Sequence, residues 1–117
     1  MDTRKKFGDF GENLAEETLA KRGYDILEKK FRSNIGEIDI IAKDKDTLVF
    51  VEVKARLNSK YGRPEEAVTP RKIYHIRRTA EYYCLINNIK HAKMRIEVVA
   101  IQYREGVLES IKIIPVV

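Results

Sequence analysis

The sequence predicts an α/β fold in which helices flank a mixed β-sheet, with elements in the order αβββαββ. Three observations predict it: an amphipathic helical pattern near the start, apolar runs of strand length separated by turn signals, and a second helix with a clear cap before two closing strands. A chain of 117 residues with 44% hydrophobic and 35% charged residues fits a single domain, residues 1–117, with one real core. No repeat, low-complexity tract or Pro/Ser-rich linker suggests a boundary inside it.

From Asp9 to Arg22 the apolar residues Phe10, Leu14, Ala15 and Leu19 recur at helical spacing, and Gly23 is placed to end that helix with positive φ. Tyr24–Phe31 reads as a strand. Gly36–Lys43 and Thr47–Arg56 read as a hairpin across Asp44-Lys45-Asp46. Asn58–Pro64 is a loop, punctuated by Gly62 and Pro64. Thr69-Pro70 opens the second helix as N-cap and first helical residue, with Ile73, Ile76, Ala80 and Tyr83 as its inner face. Strands Met94–Tyr103 and Val107–Val116 follow, joined at Glu105-Gly106.

Composition excludes several classes. The lone Cys84 forms no intrachain disulfide, and no Cys/His spacing suggests zinc; His75 and His91 read as surface residues. The start of the chain has no signal-peptide apolar stretch, and no run approaches the roughly 20 apolar residues of a membrane span. The expectation is a cytoplasmic protein without a membrane partner. Net charge is +5, unevenly placed: residues 54–95 hold eleven Lys/Arg against three Asp/Glu, whereas residues 36–53 hold two against five. An acidic segment beside a basic one suits an anionic polymer gripped around a carboxylate centre, or else an ordinary solvated surface.

The predicted hairpin carries the chemistry. Glu37, Asp39 and Ile41 share one strand face, as do Phe50, Glu52 and Lys54. A symmetric turn sets Ile41 opposite Phe50, Asp39 opposite Glu52, and Glu37 opposite Lys54. Two facing carboxylates, with β-carbons about 5 Å apart, repel. One is protonated, a basic side chain bridges them, or a cation binds between them. Mg²⁺ takes such hard oxygen ligands, and Lys54 on the same face would orient water or offset charge on a phosphate. Glu37 with Lys54 also reads as a plain cross-strand ion pair.

Asp39 followed by Glu52-Val53-Lys54 resembles the PD-(D/E)-x-K signature of restriction-endonuclease-like nucleases. Gly8-x-x-Gly11-Glu12 with Ala15, Gly36-Glu37-Ile38-Asp39 with Ile41-Ala42, Phe50-Val51-Glu52-Val53-Lys54-Ala55-Arg56 and Lys72 resemble the YraN-like family, itself similar to archaeal Holliday-junction resolvases. The resemblance implies a restriction-endonuclease-like core. It implies Asp39, Glu52 and the Val53 backbone carbonyl as ligands of Mg²⁺ or Mn²⁺, Lys54 as the residue serving the attacking water, and Glu12 as a further ligand. Asp9-x-x-Glu12 alternatively has capping-box spacing. Lys72 would contact phosphate, with Arg56, Arg71, Arg77 and Arg78 gripping the backbone of a nucleic acid. Tyr61 would stack on a base. Ile38 stands where the broad signature has proline, and Glu97 where the closer family usually has aspartate.

The expected activity is metal-dependent hydrolysis of phosphodiester bonds in nucleic acid, with DNA, including branched DNA, favoured by the resemblance. A homodimer would cut two strands symmetrically. The alternative is a non-catalytic nucleic-acid- or partner-binding module on the same fold.

Overall fold

The computed structural model describes residues 3–58, 60 and 62–116, with only the backbone of residues 3–7. The elements are α1 (Thr3–Lys21), β1 (Asp25–Arg32), β2 (Glu37–Asp44), β3 (Thr47–Arg56), a 3₁₀ turn (Pro64–Ala67), α2 (Pro70–Ile86), β4 (Lys93–Arg104) and β5 (Val107–Val116). The five strands form one sheet in sequential order. β3 and β4 run parallel through the α2 crossover, and the other neighbours are antiparallel. The α/β reading and its αβββαββ order therefore hold.

Alternation along the strands sends apolar side chains to both faces. On one face Ile40, Ala42, Val49, Val51, Val99 and Ile101 pack with Ala15 and Leu19 of α1. On the other, Ile41, Phe50 and Ile96 pack with Ile76, Ala80 and Tyr83 of α2. Tyr83 lies edge-on to Phe31 (5.2 Å) and to Phe50 (5.9 Å). The buried part of β3 is apolar from Leu48 to Val51 because both its faces are covered, and Glu52 is the charged exception at its end.

Local chemistry ends the elements as expected, with one shift. Gly23 (φ +91°) closes α1, and the Tyr24 N–H bonds the Leu19 carbonyl across the end. Thr69 caps α2, its hydroxyl accepting from the Lys72 N–H at 3.2 Å. α1, however, begins at Thr3 rather than Asp9. Asp9 and Glu12 consequently lie inside the helix, and the capping-box reading is overturned. Gly36 lets β2 approach α2: a Cβ there would stand 2.6 Å from Thr79 Oγ1.

Glu97 has a structural explanation. It is buried, accepts from the Tyr24 hydroxyl at 2.8 Å, and lies 3.5 Å from Arg95 Nε. Arg95 also reaches Asp44 at 2.6 Å and the Tyr24 oxygen at 2.9 Å. The network satisfies a buried carboxylate at the end of the sheet near the β2–β3 turn. Among the described residues, no helix is long and apolar enough to cross a membrane.

Candidate active site

The site arises where the β2–β3 ladder stops. From the turn the strands pair as expected, Asp44 with Thr47 through Ile41 with Phe50 to Ile40 with Val51. The expected face-to-face pair of Asp39 with Glu52 is not formed. Instead Asp39 Oδ2 accepts a 2.8 Å hydrogen bond from the Val53 N–H, taking the place of a strand carbonyl. The N–H and C=O of a strand residue leave on the same side, so the Val53 carbonyl is turned the same way, towards the cleft that Val53 lines. A carboxylate has thus been substituted for a rung of backbone, which explains how a charged group is tolerated within an apolar strand.

Glu52 remains in the regular part of β3 and is only 5% exposed. It faces the α2 side, where Lys72 Nζ lies 3.4 Å and Lys54 Nζ 3.7 Å from its Oε1. Burial raises its pKa, the Asp39 charge adds to the rise, and Lys72 and Lys54 oppose it. Glu12 comes from α1, on the opposite side of the sheet. Its pKa too is raised, by burial first and then by Asp39, against Lys30. Helices on both faces and a parted pair of strands therefore bring three carboxylates to one place.

The resulting cleft has a volume of about 700 Å³ and is lined by Glu12, Asp39, Glu52, Val53, Lys54, Arg56 and Lys72, together with Asp9, Lys30 and Arg32. The predicted carboxylates, Lys54, Lys72 and Arg56 are all assembled there. Arg56 Nε is buried and has no hydrogen-bond acceptor. Arg71, Arg77 and Arg78 are exposed on α2 and do not line the cleft; Arg77 borders a separate groove with Met94 and Ile96. Glu37 pairs across strands with Arg32 of β1 at 3.3 Å on the surface and not with Lys54 of β3. Tyr61 lies outside the described residues.

Lys30 is the site residue that sequence reasoning missed. Its Nζ lies 2.7 Å from Asp9 Oδ1 and 3.5 Å from Glu12 Oε2. It adopts φ +54°, beside the position where β2 turns Asp39 towards β3.

The donor chemistry fits a hard divalent cation. Among the described residues no three His, Cys, Asp or Glu side chains form a preformed metal cage. Two carboxylates and a strand carbonyl beside open cleft volume match the habit of Mg²⁺, which keeps waters and shares its sphere with substrate oxygens.

The family model described as "Uncharacterised protein family UPF0102" matches residues 11–101, a span that contains Glu12, Asp39, Glu52, Lys54 and Lys72. The chain belongs to the UPF0102 family. This is the YraN-like family that its motifs resemble. It is 45% identical over 98 residues to a UPF0102 protein of Caldicellulosiruptor saccharolyticus, covering 84% of this chain and 83% of that one. It is 48% identical over 97 residues to a UPF0102 protein of Clostridium acetobutylicum, covering 83% and 80%. A UPF0102 protein of Clostridioides difficile is 46% identical over 105 residues, covering 90% and 91%. The UPF0102 match reaches from within α1 into β4 and takes in every residue lining the cleft except Gly8 and Asp9.

Proposed function

We propose that this protein is a metal-dependent nuclease of the restriction-endonuclease-like class, hydrolysing phosphodiester bonds in DNA, branched DNA included, in the cytoplasm. One observation carries the reading: a carboxylate pinned to a strand N–H stands beside a buried glutamate flanked by two ammonium groups, in a cleft open to an extended ligand. Asp39, Glu52 and the Val53 carbonyl would hold Mg²⁺ or Mn²⁺, with Glu12 reaching the same centre from α1. When bound, the ion supplies Lewis acidity towards water and phosphate oxygen.

The chain's own residues supply the rest. Lys54, which lines the cleft beside Glu52, would orient the attacking water and offset negative charge gathering on the phosphate. Lys72 and Arg56 hold the phosphate of the scissile strand, each as a cation lining the cleft. Arg71, Arg77 and Arg78, outside the cleft on the exposed side of α2, would meet only flanking backbone. A homodimer would present two clefts to the two strands of a symmetric substrate.

The test is cleavage of single-stranded, duplex, flapped and four-way-junction DNA, and of RNA, with Mg²⁺ or Mn²⁺. Glu52→Gln and Lys54→Ala are the controls. Metal-dependent cleavage of DNA that both substitutions abolish is expected. Cleavage indifferent to them would sink the assignment. Salt-sensitive binding without cleavage would replace it with a binding module.

A further inference from the structure

The carboxylate centre continues into a second recess of about 430 Å³, lined by Asp9, Glu12, Asn13, Lys29, Lys30 and Asp39. Asp9, Glu12, Lys30 and Asp39 border both this recess and the main cleft. The recess's three carboxylates and an amide oxygen are hard donors of the kind divalent cations take, although among the described residues no three carboxylates are drawn together as a cage. In two-metal centres the ions stand about 3.5–4 Å apart. Asp39, on the boundary of the two recesses, would be the carboxylate shared by two such ions.

That recess already holds a cation of the chain's own. The Lys30 ammonium is at 2.7 Å from Asp9 and 3.5 Å from Glu12. The Lys30 backbone is left-handed at φ +54°, a conformation that glycine adopts freely and other residues adopt at a cost. The strain coincides with the turn of Asp39 out of the ladder. On the far side of the centre, Lys54 and Lys72 both attend Glu52 instead.

We infer that Lys30 acts as a resident cation in the α1-side half of the carboxylate cluster and limits the centre to a single divalent ion, held between Asp39 and Glu52. The inference rests on the metal-dependent reading above. Lys30 thereby acts as a positioning residue: it fixes Asp9 and Glu12 on itself, so that Glu12 assists one ion rather than sharing two.

The experiment is Mn²⁺ titration by calorimetry and electron paramagnetic resonance on the wild-type chain, Lys30→Gly, Lys30→Arg and Asp39→Asn, with no substrate. Wild type and Lys30→Arg are expected to bind one ion, and Asp39→Asn none. Lys30→Gly is expected to bind two, with the broadened resonance of a spin-coupled pair. Glycine suits the left-handed backbone, and circular dichroism checks the fold; if the fold is lost, Lys30→Asn, also tolerant of that conformation, carries the same test. One ion bound unchanged by Lys30→Gly overturns the role of Lys30 and leaves the metal centre standing, as do two ions in the wild type. One ion appearing only in Lys30→Gly also overturns it, because Lys30 would then exclude metal altogether. No ion in any variant removes the metal reading and this inference together.

Discussion

Asp39 and Val53 are joined by a side-chain-to-backbone hydrogen bond of 2.8 Å where a strand-to-strand bond would otherwise run. The bond makes one residue both a structural rung and the carboxylate whose charge acts on Glu52. The two duties separate under mutation. Asp39→Ala leaves the Val53 N–H without its acceptor and should cost about 1–3 kcal/mol in urea unfolding. Asp39→Asn keeps an acceptor oxygen, so its loss should be well below that of the alanine variant while Mn²⁺ binding disappears. Equal destabilisation by both would show that the charge, not the hydrogen bond, holds the strand.

Acidity should stabilise the metal-free protein over part of its range. Glu52 and Glu12 have raised pKa values through burial and the Asp39 charge. Between the ordinary carboxylate value and the raised value, the folded chain binds more protons than the unfolded chain. These groups therefore make stability fall as pH climbs through that window. Melting temperature followed from about pH 4 to 8 should show a smaller decline for Glu52→Gln than for wild type. An identical slope in the two proteins would contradict the assignment of the burden to Glu52.

Lys72 and Arg77 sit five positions apart on one helix yet should behave differently. Lys72 lines the cleft and attends Glu52, whereas Arg77 borders another groove. Lys72→Ala should weaken DNA binding and reduce the slope of log K against log salt by about one. Arg77→Ala should leave the cleavage rate close to wild type. Binding measured by fluorescence anisotropy at several salt concentrations, with parallel cleavage rates, checks both.

Gly36→Ala tests how β2 meets α2. The added Cβ would lie 2.6 Å from Thr79 Oγ1, against a fully buried side chain. Overpacking of this kind costs about 1–3 kcal/mol. Thr79→Ala removes the obstructing oxygen, so the double variant should be more stable than the sum of the two single losses. A double-mutant cycle from denaturant unfolding measures that coupling.

Much of this was legible because local and tertiary preferences agree. The β2–β3 register, the Thr69-Pro70 helix start and the Gly23 stop all came from neighbouring residues, and the structure keeps them. The departure at Asp39 was not legible, since a side chain replacing a backbone rung has no periodic signature. Lys30 was hidden for a subtler reason. β1 is irregular at Leu27 and again around Lys30, and the two breaks cancel. Ile26 and Phe31 thus reach the opposite faces that unbroken alternation would give them. The start of α1 was placed late because Thr3-Arg4-Lys5-Lys6 offers no apolar periodicity.

The parallel join of β3 to β4 divides the chain into unequal roles. Among the described residues, every group lining the main cleft comes from residues 8–72, and the hairpin of β4 and β5 contributes none. That hairpin supplies Val99 and Ile101 beneath α1 and Ile96 beneath α2. The reactive groups are therefore gathered from α1 to the start of α2, whereas their permanence depends on the later closure of β4 against β3. Substitutions in β4 and β5 should act on the lifetime of the folded chain and leave the chemistry of the cleft as it is.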